Sequence, residues 1–227
     1  EIELPLSAVL GAMEDAGVKI DTYRMGEITA RLADRVEELE AKAYELAGEE
    51  FTIGSTQQVA RILFEKLQLT PGRKGKTGYS TDTRVLRSIR GDHEIVGVVE
   101  EWRELSKLVN TYLKPLPLLI SETDGRLHTT FNQAAASTGR LSTTNPNLQA
   151  IPIRTELGRE IRSAFVAEQG HRLISADYSQ VELRILAHVS GEPRLREAFA
   201  RNEDVHTATA AEVLGKDPAA LTKDERN

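Results

Sequence analysis

Apolar residues recur at spacings of three and four through the first half of the chain, and this period predicts helices. Leu6, Val9, Leu10 and Met13 share one side of a short helix over 6–17, with Gly17 as its stop. Val18 to Ile20 reads as a short extended piece. A long helix is predicted over about 22–47, where Ile28, Leu32, Val36, Leu39, Ala43 and Leu46 form a single stripe. Ser55 and Thr56 can cap a helix over 56–68 with Val59, Ile62, Leu63 and Leu67 inward. Thr81 or Asp82 starts another, turning Val85, Leu86 and Ile89 inward. Residues 93–113 carry Ile95, Val98, Val99, Trp102, Leu105, Leu108 and Val109 on one face, and Pro115 and Pro117 are expected to interrupt regular structure.

Beyond residue 115 the pattern changes. Leu127 to Phe131 alternates like a strand, and so does Ile161 to Val166. Residues 134–156 are rich in Ala, Ser, Thr, Asn and Pro and show little period. Leu173 to Asp177 predicts a short strand ending on an acid. Val181 to Val189 reads as a helix stopped by Gly191-Glu192-Pro193, and a last helix covers Asp204 to Leu214 before Lys216-Asp217-Pro218 breaks it. The layout is a helical domain followed by an α+β region, without internal repeats.

At about 150 residues per domain, 227 residues make one large domain or two unequal ones. Lys and Arg number 29 against 35 Asp and Glu, a net charge of −6, which argues against a binder that coats nucleic acid with bulk positive charge. The charge is segregated, however. Glu27 to Glu50 holds eight acids and three bases, read as a solvated helix face, whereas 71–90 holds six bases and one acid and 126–172 six bases and three acids. The absence of cysteine excludes disulfides, zinc–thiolate sites and thiol nucleophiles, and suits a reducing compartment. No run of 18 apolar residues is present to span a membrane. The first residues, Glu-Ile-Glu-Leu-Pro, lack a signal-like core, and both ends are expected to be cut from something longer.

Three places carry candidate chemistry. Asp177 stands at the end of an apolar run, before a polar turn and a helix, where a carboxylate can meet a metal or a phosphate; a turn former or helix cap is the alternative. Glu182 and Arg184 follow, embedded in an apolar helix, and an ordinary salt bridge would also explain Glu182. The segment Ser137 to Arg154 offers short donors plus Arg140 and Arg154, interleaved with Leu148, Ile151 and Ile153. Such a segment is either a surface loop or a polar strip laid on a core and suited to phosphates and minor-groove acceptors. His206 lies near a helix start, where it can donate to a phosphate or serve structure alone. Gly72 to Gly75 lacks the strand and the Lys-Ser/Thr ending of a P-loop.

Asp-Tyr-Ser-Gln-Val-Glu-Leu-Arg over 177–184 resembles motif A of the bacterial DNA polymerase I family, the family A DNA polymerases. Thr138 to Ser142 and Pro146 to Gln149 resemble its primer–template-contacting segment, and Asp204 to Thr207 the pattern just ahead of its fingers. The resemblance covers essentially the whole chain. It implies an α+β fold in which residues 1–19 begin the palm region, 20–115 form a helical thumb, and 116–227 form the N-terminal part of the palm, ending at the start of the fingers.

The resemblance also implies roles. The chain would be part of a DNA-directed DNA polymerase, transferring dNMP to a primer 3′-OH with release of pyrophosphate. Asp177 would be one of two carboxylates holding two Mg²⁺ ions, and the backbone carbonyl of Tyr178 would complete one shell. Glu182 would be the steric gate against a ribose 2′-OH. Gln180 would line the nucleotide site, and His206 and Arg226 would hold dNTP phosphates. Arg140, Gln149 and Arg154 would contact duplex DNA, supported by Asn147, with Arg103, Lys107 and Tyr112 close to it. Arg73, Lys74, Lys76 and Thr77 would form the thumb tip. The fingers and the second aspartate would come from a complementary polypeptide or a missing C-terminal segment, so the 227 residues alone are expected to be inactive. The implied location is the bacterial cytoplasm and nucleoid, or a host cytoplasm for a phage protein. Ala150 stands where the family usually has Asn, and Thr52 and Gly54 where it commonly has two asparagines. A non-catalytic DNA-binding clamp is the alternative function.

Overall fold

The computed structural model describes residues 1–70, 74–75, 78–201, 203–222 and 225. Contacts within the chain divide it into two units, Glu1–Leu173 and Ile174–Asn227.

In the first unit, α1 (Glu3–Ala16) leads into β1 (Lys19–Ile20) and α2 (Thr22–Ala47). Asp21 caps α2 by accepting from Arg24 N, and Gly48 ends it in the left-handed conformation at φ 69°. The predicted stripe is the buried face: Ile28, Leu32, Leu39 and Ala43 are buried, joined by Met25 and Ala47. It packs along α5 (Glu94–Leu108), which buries Ile95, Val96, Val98, Val99, Leu105 and Leu108. Each such side chain contributes roughly 1.5–3 kcal/mol when fully removed from water.

Two of the predicted helices change their winding. The helix starting at Thr56 is α3 (Thr56–Ala60) followed by a π-helical segment, Arg61–Lys66, and α5 continues as a second π-helical segment, Val109–Leu113. There Lys114 N bonds back to Val109 O at 2.9 Å, five residues away, so the turn is widened. Pro115 and Pro117 do not end regular structure as expected. They lie in a short helix α6 (Pro115–Leu118), because a proline in a first turn lacks only an N–H that would have no helical partner. Within the basic stretch β2 (Lys74–Gly75) pairs antiparallel with β3 (Gly78–Tyr79), ahead of α4 (Thr83–Ser88) capped by Asp82.

The strands are shorter than predicted. Leu127 makes isolated bridges to Val18 and Ile120, and the ladder proper is β4 (Thr130–Asn132) against β5 (Ser142–Thr144). Ile161 to Val166 is not one strand. Ile161 belongs to α7 (Glu156–Arg162), because Thr155 caps that helix by accepting from Gly158 N at 3.0 Å. Only β6 (Phe165–Val166) is extended, and it pairs with β1. Helical and non-helical parts share one core, in which Leu127, Ile151, Ile161 and Ala164 lie with the α2 and α5 faces.

In the second unit, the strand predicted over Leu173–Asp177 does not form. Its backbone has no ladder partner among the described residues, and a lone strand cannot satisfy its own N–H and C=O groups. Ile174 is 90% exposed as a result. The helices α8 (Val181–Ser190), α9 (Pro193–Ala200) and α10 (Val205–Leu214) follow, with α9 packed on both others. No helix is long and apolar enough to cross a membrane among the described residues.

His128 secures α1. Its Nδ1 lies 2.6 Å from Glu14 O and its Nε2 3.0 Å from the Asp124 carboxylate. A Cβ on Gly17 would come within 2.8 Å of the same ring. The Glu14 carbonyl, then Asp124, raise the imidazole pKa above its ordinary value of 6.5, because only the protonated ring donates on both sides. The stabilisation is therefore complete below about pH 6.5 and is lost as pH rises through the raised folded value. Melting temperature should fall across that window in the native sequence and fall less in His128→Ala; parallel curves would exclude His128 as the source.

Candidate active site and nucleic-acid interface

The polar segment in the first unit is braced by its own side chains. Gln149, exposed in a 3₁₀ turn (Leu148–Ala150), accepts from Thr143 N at 3.0 Å through Oε1 and donates to Leu141 O at 2.9 Å through Nε2. Asn147 caps that turn by accepting from Gln149 N at 3.2 Å, and receives the buried Thr143 hydroxyl at 3.3 Å. Thr129 Oγ1 donates to Pro146 O at 2.7 Å at the cis Asn145–Pro146 peptide. Each Gln149 amide atom uses one of its two hydrogen-bonding positions in these bonds, which leaves capacity for one further N–H and one further lone pair. Arg140 and Arg154 are exposed on either side of this turn.

Three expected DNA neighbours on α5 and its π-helical end have different surroundings. Tyr112 is buried, and its hydroxyl donates to Ala150 O at 2.5 Å. It therefore pins the 148–150 turn to the helical core. Arg103 is half-buried and donates to both Thr81 O, at 2.5 Å, and Thr81 Oγ1, at 3.1 Å. Burial lowers its guanidinium pKa below the usual value. Lys107 is exposed and shares with Arg103 a cleft of about 1100 Å³ between α2, α4 and α5. Arg73, Lys76 and Thr77 lie outside the described residues, as does Arg226, and Lys74 is described only as a position in β2.

Gly158 sets how closely α7 follows this segment. A Cβ there would stand 2.5 Å from Pro152 O, a backbone atom that cannot move aside alone.

The second unit brings Asp177, Tyr178, Gln180, Glu182 and His206 onto one short turn and two helix starts. Asp177 and Tyr178 are exposed at the end of the extended run. Gln180 precedes α8 in the left-handed conformation at φ 53°, and its Nε2 donates to Asp204 Oδ1 at 3.0 Å. Asp204 caps α10 by accepting from His206 N at 2.9 Å and Thr207 N at 3.3 Å. Those two N–H groups are therefore already engaged, and the imidazole of His206 is exposed beside them. Glu182 is exposed in the first turn of α8. The sequence reading missed the Gln180–Asp204 bond, the Tyr112–Ala150 bond and the use of Arg184; an arginine embedded in an apolar helix was the one visible signal.

The donor set can be tested against Mg²⁺. The carboxylate of Asp177 and the main-chain carbonyl of Tyr178, both on exposed residues, are hard oxygen donors of the kind Mg²⁺ takes. No cluster of three or more His, Cys, Asp or Glu capable of holding a metal occurs among the described residues.

A family model for DNA polymerase family A matches residues 22–227. The chain belongs to this family. It is 51% identical over 223 residues to a thermostable DNA polymerase I of Thermus filiformis, covering 97% of this chain and 27% of that protein. Against DNA polymerase I of Deinococcus radiodurans it is 50% identical over 228 residues, covering all of this chain and 24% of that protein. The chain thus spans about a quarter of the length of the curated relatives it matches. Among solved structures it resembles the POL domain of Pol1 from M. smegmatis, in complex with DNA primer-template and dNTP, at TM-score 0.91 and 38% identity, over 99% of this chain and 40% of that one. The family A segment seen here is mostly helical.

Gln149→Ala should remove both bonds to the strand side of the family A segment. Two hydrogen bonds, one part-buried and one exposed, of about 1 kcal/mol each set the size of the loss. Amide exchange at Thr143 should accelerate markedly while exchange in α2 stays unchanged; unaltered Thr143 protection would show that the brace is not needed.

Proposed function

We propose that this chain is the thumb and the N-terminal palm portion of a DNA-directed DNA polymerase, with residues 20–115 as thumb and 1–19 and 116–227 as palm. The observation that carries the reading is the Gln180–Asp204 bond, which ties the turn bearing Asp177 and Glu182 to the helix start bearing His206. One locally built unit thereby offers a metal-facing carboxylate, a sugar-facing carboxylate and a phosphate-facing imidazole. The relative of known structure was solved with primer-template DNA and dNTP, the partners proposed for this chain.

In this reading Asp177 and the Tyr178 carbonyl would hold Mg²⁺ together with a second aspartate outside these residues. When bound, a metal pair lowers the pKa of the attacking 3′-hydroxyl and stabilises charge on the leaving pyrophosphate. The chain's own contribution is placement. His206 and Arg226 would hold the triphosphate of the incoming nucleotide, and Gln180 would line its site. Glu182 would stand against the sugar, where an added 2′-hydroxyl meets both a steric conflict and a desolvation cost. Arg140, Gln149 and Arg154, with Asn147 behind them, would grip the duplex through backbone and minor-groove atoms, as suits an enzyme whose sequence choice comes from base pairing. Arg73, Lys74, Lys76 and Thr77 would follow the duplex from the thumb tip, and Lys107 and Arg103 would lie beside it, with Tyr112 supporting the 148–150 turn.

The exposed Ile174, Ile185, Leu186 and Val189 support a palm completed by further chain. The 227 residues alone would then be inactive, one carboxylate being half of the metal-binding pair.

Primer extension by the complete polymerase should vanish in Asp177→Ala while duplex binding is largely retained. Normal extension would remove the metal role of Asp177. Glu182→Ala should incorporate ribonucleotides more readily relative to dNTPs, and unchanged selectivity would remove the gate role.

A further inference from the structure

Between Asp177 and Glu182 the backbone adopts a conformation that side-chain-bearing residues avoid. Gln180 has φ 53° and ψ 35°, in the left-handed region, at the residue preceding α8. A Ser, Thr, Asp or Asn at that position would cap the helix with its own side chain, and Gln180 makes no such bond. Two contacts hold the turn instead. Arg184, one turn into α8, donates from Nε to Ser179 O at 3.0 Å, and its guanidinium lies over the Phe199 ring of α9 at 4.6 Å from the centroid. Gln180 donates to Asp204 at the start of α10. The turn is therefore tied to all three helices of its unit.

We propose that Arg184 is a positioning residue for the polymerase site, holding the left-handed turn so that the Tyr178 carbonyl and the Glu182 carboxylate keep fixed directions relative to Asp177. The inference rests on the family A reading of those three residues. If the turn relaxed to an ordinary conformation, the peptides on either side of Gln180 would rotate, and α8 would start with a different face toward Asp177. Arg184 itself touches no reacting atom. Its planar guanidinium serves two directions at once, stacking on Phe199 while a fixed edge N–H meets the carbonyl. A lysine ammonium can supply charge at one point but cannot do both. Gln180 contributes through its side chain while carrying the backbone strain.

The test uses the complete polymerase carrying this chain, with single-nucleotide incorporation measured as kcat, KM for dNTP and Mg²⁺ half-saturation. Arg184→Lys should lower kcat by about tenfold to 100-fold and raise the Mg²⁺ requirement, with duplex affinity and melting temperature close to native, the expected size for a small displacement of reacting groups. Gln180→Gly should retain more activity than Gln180→Ala, since both lose the bond to Asp204 and only glycine enters the left-handed region without cost. Arg184→Lys at native kcat and Mg²⁺ dependence, within about twofold, would overturn the proposal, and so would equal activity of the two Gln180 variants. Circular dichroism identifies any variant that fails to fold, and the remaining comparison then decides. Asp177→Ala is measured alongside. If it remains active, the family A reading of the site fails; if it is dead while Arg184→Lys is native-like, only the positioning role fails.

Discussion

The apolar stripe of α2, laid along α5, is the contact on which the first unit is built. Met25, Ile28, Leu32, Leu39 and Ala43 remove one long helix face from water, and the buried residues of α5 and its π-helical end complete the same core. Segments without a strong period of their own take their position from this pair. Asp21 N, at the cap of α2, donates to Ala164 O, and Arg31 of α2 pairs with Glu160 of α7 at 2.6 Å, so the middle and the later part of the 155–166 stretch refer to α2 and its cap. Tyr112 fixes the 148–150 turn to the end of α5. An exposed ion pair such as Arg31–Glu160 adds little energy by itself. The buried stripe supplies the stability, and the polar contacts choose the register.

Both candidate regions are made from local polar bonds rather than from a deep cavity. Gln149, Asn147 and Thr143 brace one turn, and Gln180, Asp204 and Arg184 brace another. In each, an amide or guanidinium holds backbone atoms while neighbouring groups stay solvent-facing.

Helices were legible because their period is local. The stripe from Ile28 to Ala43 and the caps at Ser55 and Asp82 could all be read from neighbouring letters. Strands were not, because pairing depends on remote partners. Ile161 looked extended by alternation, yet Thr155 and Glu156 set a helix start six residues earlier. Leu173 to Asp177 has strand composition without a partner among the described residues. The motif residues of the site could be named from sequence, but their supports could not. A left-handed glutamine carries no compositional mark, unlike a glycine, and the reach of Arg184 to Ser179 depends on a turn that no periodicity reveals. Likewise Tyr112 sat in an apolar pattern that gave no hint of the carbonyl its hydroxyl would find 38 residues away.

The bond from Tyr112 is made to a main-chain oxygen, and every amino acid at position 150 brings that oxygen. The anchoring of this turn is therefore indifferent to which side chain occupies its last residue. Ala150 can be exchanged for another residue without removing the oxygen that Tyr112 bonds, so the polar character of this exposed position can change while the anchoring group stays. The shape of this turn is secured by a group that no side-chain substitution removes, the peptide carbonyl.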